Sequence, residues 1–94
     1  MRYSERETMR LLKSKNLNLE DQIKANILNF IRVIHLNGYD FFASSYASEY
    51  FGALPMTFRK DGNQALGLIT VTLPGEVRRY AFTEQGYECV DDLF

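Results

Sequence analysis

Apolar residues recur at helical spacing in the segment that follows Asn18. They are Ile23, Ile27, Phe30, Ile31 and Ile34, and their spacing traces one face of a helix. Asn18 suits the N-cap, and the two acidic residues after Leu19 place negative charge in the first turn, where exposed N–H groups favour it. Gly38 tolerates the left-handed conformation that commonly ends a helix. The pattern therefore predicts a helix over residues 19–36.

The segment before this helix, residues 4–15, is polar and carries a thin apolar stripe. Its main apolar residues are Met9, Leu11 and Leu12. We interpret it as an N-terminal helix that must pack on another surface, such as a second copy of the chain. Residues 1–17 are thus an extension suited to dimerisation, and residues 18–94 are the core of a single domain.

After Gly38, an aromatic stretch over residues 39–43 predicts a short extended piece. Ser44 and Ser45 then offer an N-cap for a two-turn helix over residues 45–51, which Gly52 ends. Further along, residues 68–73 are rich in β-branched side chains, Pro74-Gly75 predicts a turn, and residues 78–82 return with alternating polarity. Thr83 is the expected cap of a last helix, whose buried side would contain Tyr87, Val90 and Phe94.

Residues 53–67 support two interpretations. Pro55 could occupy the first turn of a helix over residues 55–65, with Phe58 facing the core. Alternatively, Asp61-Gly62 is a hairpin turn between strands 56–60 and 63–66, and a glycine in the middle of a helix costs about 1 kcal/mol relative to alanine. Local chemistry slightly favours the hairpin, whereas the order of elements along the whole chain favours the helix.

Composition narrows the class of protein. The chain has 94 residues, 11 Lys and Arg against 12 Asp and Glu, and 46% hydrophobic residues, which fits one globular domain. Cys89 is the only cysteine and His35 the only histidine, which argues against a disulfide framework and a His-based metal site. We find no signal peptide, membrane span or catalytic constellation. The sequence predicts a cytoplasmic protein that is not an enzyme and uses no cofactor or metal.

Four segments together resemble the winged helix-turn-helix family of DNA-binding proteins over about residues 25–94. Residues 45–52 are similar to the first helix of the helix-turn-helix, and residues 54–61 to the start of its recognition helix. Residues 65–69 resemble the exit from that helix into the wing. Residues 78–86 are similar to the second wing strand and the helix start after it. Gly62 departs from the family, since a large apolar residue normally anchors the recognition helix.

This resemblance implies a mainly α fold with a small antiparallel β wing; the alternative is an α+β fold with a three-stranded meander. It also implies a sequence-specific, dimeric regulator of transcription that binds double-stranded DNA. The recognition helix would enter the major groove, and the wing would contact the backbone. The implied DNA-binding residues are Thr57, Arg59, Lys60, Asn63 and Gln64 on the helix, and Arg78 and Arg79 on the wing.

The placement of charge supports this hypothesis independently of the family. Residues 53–80 carry four bases against two acids, a net of +2, whereas residues 81–94 carry four acids and no base, a net of −4. Positive charge thus gathers on the implied DNA-facing parts. The competing hypothesis is a module or inhibitor that binds another protein and has no nucleic-acid role, which the acidic C-terminal segment and the aromatic content favour.

Overall fold

Three helices precede four strands in the computed structural model, which describes residues 1–46, 54–60 and 66–90, and only the backbone of residues 43–46. The elements are α1 (Glu5–Lys13), α2 (Leu19–Asn37), α3 (Tyr39–Tyr46), β1 (Met56–Lys60), β2 (Gly67–Leu73), β3 (Glu76–Thr83) and β4 (Gly86–Cys89). The strands form one antiparallel sheet in the order β1-β2-β3-β4. The α+β class is confirmed, with a meander of four strands rather than three.

The long helix α2 is confirmed together with both of its caps. The Oδ1 atom of Asn18 accepts a hydrogen bond from the backbone N–H of Asp21 at 2.9 Å. Gly38 has φ 90°, and its N–H donates to the carbonyl of Ile34 at 2.8 Å. The apolar stripe of α2 is buried, and Ile27 and Ile31 are fully inaccessible to solvent.

The N-terminal helix α1 also forms, and it packs on α2 of the same chain. Ser4 caps it, because the Ser4 Oγ atom accepts a hydrogen bond from the N–H of Glu7 at 3.2 Å. Leu11 is fully buried in the core that α2 helps to build. Leu11 therefore packs within its own chain, whereas the sequence suggested a second copy as such a surface, and Leu12 of the stripe stays 44% exposed.

The prediction of an extended piece over residues 39–43 is wrong, since these residues belong to α3. The N–H of Phe42 donates to the carbonyl of Gly38 at 3.2 Å, which forms the first turn of α3. Phe42 is fully buried, and its ring lies 5.1–5.8 Å from three other rings, those of Phe30, Phe58 and Phe82. Burial of the Phe42 ring among these rings stabilises the first turn of α3. The helix predicted over residues 45–51 overlaps the end of α3 at residues 45 and 46, and its remainder lies outside the described residues.

The helix predicted over residues 55–65 is wrong for its described part, because Met56–Lys60 is strand β1. Met56 is buried and Thr57 is exposed, which is the alternation of a strand with one covered face. In the register with β2, Thr57 lies opposite Thr70 and Arg59 opposite Leu68. Residues 61–65, which contain the Asp61-Gly62 turn of the alternative prediction, lie outside the described part.

The β2–β3 hairpin is confirmed, and Gly75 adopts φ 81° in its turn. The last predicted helix is wrong over its described residues, since Gly86–Cys89 is strand β4. The Thr83 hydroxyl accepts the N–H of Gln85, two residues on, at 3.1 Å, so it closes a tight turn instead of capping a helix. Residues 91–94 of that predicted helix lie outside the described part.

The sheet has an inner face, which packs on the helices, and an outer face. The inner face contributes Met56, Ile69, Val71, Tyr80 and Phe82 to the core. Because successive residues of a strand point to opposite faces, the residues between them belong to the outer face. The outer face consists of Thr57 and Arg59 of β1, Leu68, Thr70 and Thr72 of β2, Val77, Arg79 and Ala81 of β3, and Glu88 of β4, followed by Val90.

Candidate nucleic-acid interface

The outer face of the sheet is organised in rows that cross the strands. The first row runs from Val90 through Arg79 and Thr70 to Thr57, and the N–H of Val90 donates to the carbonyl of Arg79 at 2.9 Å. The second row contains Glu88, Ala81, Leu68 and Arg59. Residues that are neighbours within a row have Cβ atoms about 5 Å apart, which is close enough for their side chains to act together.

A depression of about 260 Å³ lies over these two rows. Its described lining consists of Thr57, Arg59, Leu68, Thr70, Arg79 and Val90. This volume is below the roughly 300–1,000 Å³ of pockets that enclose a drug-sized ligand, so the depression suits one small group of a larger partner. Its lining combines two guanidinium groups, two hydroxyl groups and an apolar floor.

Two arginines on different strands give the depression its charge. Arg59 lies on β1 and Arg79 on β3, separated by one intervening strand and one two-residue step along the sheet, so their Cα atoms are about 12 Å apart. Both side chains are exposed. Within the described residues, no carboxylate lies within ion-pairing distance of Arg59. Two fixed cations and two donor hydroxyl groups on one surface are suited to bind phosphate oxygens.

The neighbouring arginine, Arg78, lies on the inner side of the same strand. Its Nη1 atom is 2.5 Å from Glu20 Oε1 on α2, and its Nη2 atom is 3.1 Å from Glu76 Oε1. The hydrogen bonds that Arg78 donates to Glu76 and Glu20 raise the pKa of Arg78 above its already high ordinary value. Arg78 therefore ties β3 to the start of α2. Because strand neighbours point in opposite directions, Arg78 and Arg79 do not share a surface.

Of the other residues implied by the winged-helix resemblance, Lys60 does not line the depression. Lys60 belongs to the inner side of β1, and its Nζ atom lies 5.8 Å from the centre of the Tyr39 ring, as in a cation–π contact. Asn63 and Gln64 lie outside the described residues. Of the seven implied residues, the structure brings together Thr57, Arg59 and Arg79 on the outer face.

Three residues of the depression were missed in the sequence: Leu68, Thr70 and Val90. The signal for Thr70 is present in the alternation of β2, where Thr70 stands between the buried residues Ile69 and Val71. Recognising β1 as a strand would have placed Thr70 beside Thr57. The sequence contains no such signal for Val90. The helix predicted after Thr83 includes Val90, so the prediction does not place Val90 on the sheet.

Other polar groups that the sequence singles out have structural partners. The Nε2 atom of His35 lies 2.7 Å from the carbonyl oxygen of Glu84, so the end of α2 is joined to the β3–β4 turn. The ring of His35 also meets Tyr3 edge to face at 4.6 Å. Within the described ranges, no three His, Cys, Asp or Glu side chains lie together so that they could hold a metal ion. The outer face is thus the best candidate site.

Comparison of the chain with protein-family models, with curated proteins and with solved structures gave no match. The candidate site therefore rests on its own geometry and charge. Across the described residues, no helix combines the length and the apolar character that crossing a membrane requires.

Proposed function

We propose that this chain binds double-stranded DNA through the outer face of its sheet. The observation that carries the proposal is the convergence of Arg59 and Arg79 with the hydroxyl groups of Thr57 and Thr70 around one depression. Arginine and threonine side chains are among the donors that contact phosphate oxygens in protein–DNA complexes. The proposed role is a DNA-binding regulator of transcription.

The proposed binding mode uses strands in place of a recognition helix. Several known DNA-binding proteins contact DNA with strands instead of a helix. The hairpin of β2 and β3 corresponds to the wing of the winged-helix resemblance. Strand β1 lies where the resemblance implies the recognition helix, and strand β4 lies where it implies the terminal helix. The proposed DNA contacts are therefore those of the sheet and not those of the winged-helix family.

Charge limits the strength of the proposed binding. The chain carries 11 bases against 12 acids, and the described residues of the outer face supply two guanidinium groups. Two phosphate contacts release few counterions, so we expect weak affinity that falls with salt. Two copies on one duplex would double the number of contacts, which makes a dimer the more effective binding form.

The experiment compares the wild type with the double variant Arg59→Gln and Arg79→Gln on a short fluorescent duplex of mixed sequence at low salt. We expect the double variant to lose binding. The matched control replaces two exposed bases, Lys13→Gln at the end of α1 and Lys15→Gln just after it, which lowers the net charge by the same amount. Equal loss in both variants, or no binding by the wild type, would contradict the proposal.

The second candidate function is binding of a protein partner through the same face. Apolar side chains accompany the arginines there, since Leu68 lines the depression and Val77 is 42% exposed. Mixed apolar and arginine surfaces are typical of protein interfaces. A stable protein complex that competes with duplex DNA for Arg59 and Arg79, or that forms where DNA does not bind, would favour this candidate.

A further inference from the structure

The outer face is not uniformly basic, because an acidic side chain stands at its β4 side. Glu88 is exposed and lies opposite Ala81 in the second row, at the end away from Arg59. It is also the diagonal neighbour of Arg79, since Arg79 faces Val90 and Glu88 precedes Val90 by two residues. Positions in this diagonal relation are about 7–8 Å apart.

We propose that Glu88 sets the boundary of the DNA-binding surface, so that a bound duplex lies over β1, β2 and β3 and is excluded from β4. This inference rests on the proposed function. Glu88 is the diagonal neighbour of Arg79 but lies three strand spacings from Arg59, a separation of about 15 Å. It therefore repels phosphates that extend beyond Arg79 and leaves the Arg59 end of the surface unopposed.

The range of this repulsion follows from screening. At 0.1 M salt the Debye length is about 10 Å, so a phosphate over β4 meets the Glu88 charge almost unscreened, whereas one over β1 is largely screened from it. Glu88 thus excludes the duplex from β4. The repulsion by Glu88 acts only on nearby phosphates, so an equal change in net charge elsewhere on the protein does not reproduce it.

The test replaces the Glu88 carboxylate with a cation in the variant Glu88→Lys. The variant Glu84→Lys is the matched control. Both substitutions change the net charge equally, but Glu84 lies in the exposed β3–β4 turn, five residues beyond Arg79 and about 16 Å away along the strand. The measured quantity is the slope of log affinity against log salt for the same mixed-sequence duplex. Thermal melting of each variant confirms that it is folded.

We expect Glu88→Lys to bind more tightly and to steepen the slope by about 0.9, the value for one added phosphate contact, while Glu84→Lys leaves the slope unchanged. An equal change in both variants, or no change in Glu88→Lys, would overturn it while the proposed function stands. Absence of binding in the wild type and both variants would overturn both.

Discussion

Arg78 and Arg79 are adjacent in sequence but lie on opposite faces of β3, so the same substitution at each has different consequences. Arg79→Gln removes one of the two guanidinium groups of the depression. If each guanidinium neutralises one phosphate, the slope of log affinity against log salt is about −1.8 for the wild type and about −0.9 for Arg79→Gln. A rise in salt from about 50 to 200 mM then weakens binding about 12-fold in the wild type and about 3.5-fold in the variant.

Arg78→Gln should leave that slope at about −1.8, because Arg78 pairs with Glu20 and Glu76 on the inner side of the sheet. It should instead lower the melting temperature, since β3 loses its link to the start of α2. Fluorescence anisotropy with a labelled duplex gives the slope, and circular dichroism gives the melting temperature. A reduced slope in Arg78→Gln together with an unchanged slope in Arg79→Gln would refute the assignment of the two faces.

Three further predictions concern the fold. Phe42→Ala should destabilise the protein by about 3–5 kcal/mol in chemical denaturation, because the fully buried ring joins α3 to the sheet. Burial raises the pKa of Tyr87 to about 12 from 10.0. The folded state therefore keeps its full stability below pH 10 and loses stability as the pH rises towards 12 and Tyr87 ionises. An ultraviolet titration of the tyrosines detects this ionisation. The hydrogen bond from Arg10 lowers the pKa of Glu7 to about 2 from 4.5, so stability is lost as the pH falls through that interval, and an NMR titration of Glu7 should show the shifted midpoint.

The elements that the sequence predicts correctly are those in which several local features, such as caps, apolar spacing and turn residues, indicate the same structure. Helix α2 has an N-cap, a regular apolar stripe and a terminal glycine, and its observed bounds, Leu19–Asn37, differ by one residue from the prediction. The β2–β3 hairpin has β-branched residues and a Pro-Gly turn. In both cases short-range chemistry is sufficient to define the element.

The errors arose where a local pattern fits two structures and tertiary packing decides between them. Thr83 can cap a helix or close a turn, and the pairing of β4 with β3 makes it close the turn. Phe42 can belong to a strand or a helix, and the cluster of rings around it selects the helix. For β1, the Asp61-Gly62 signal favours a strand and the order of elements along the chain favours a helix, and the pairing with β2 selects the strand.

The candidate site could be predicted only in part, because it depends on the register between strands. Arg59 and Arg79 are twenty residues apart, and only the pairing of both strands with β2 brings them to one depression. The separation of Arg78 from Arg79, in contrast, follows directly from the alternation of a strand. It could have been inferred from the sequence once residues 78–82 were assigned to β3.

The most direct test of the outer face as the binding surface is an NMR titration of the labelled protein with duplex DNA. We predict that amide shifts change along β1, β2 and β3 at Thr57, Arg59, Thr70 and Arg79, and that residues of α1 and the buried stripe of α2 stay unchanged. Shift changes confined to α1 and α2, or none at low salt, would contradict the account.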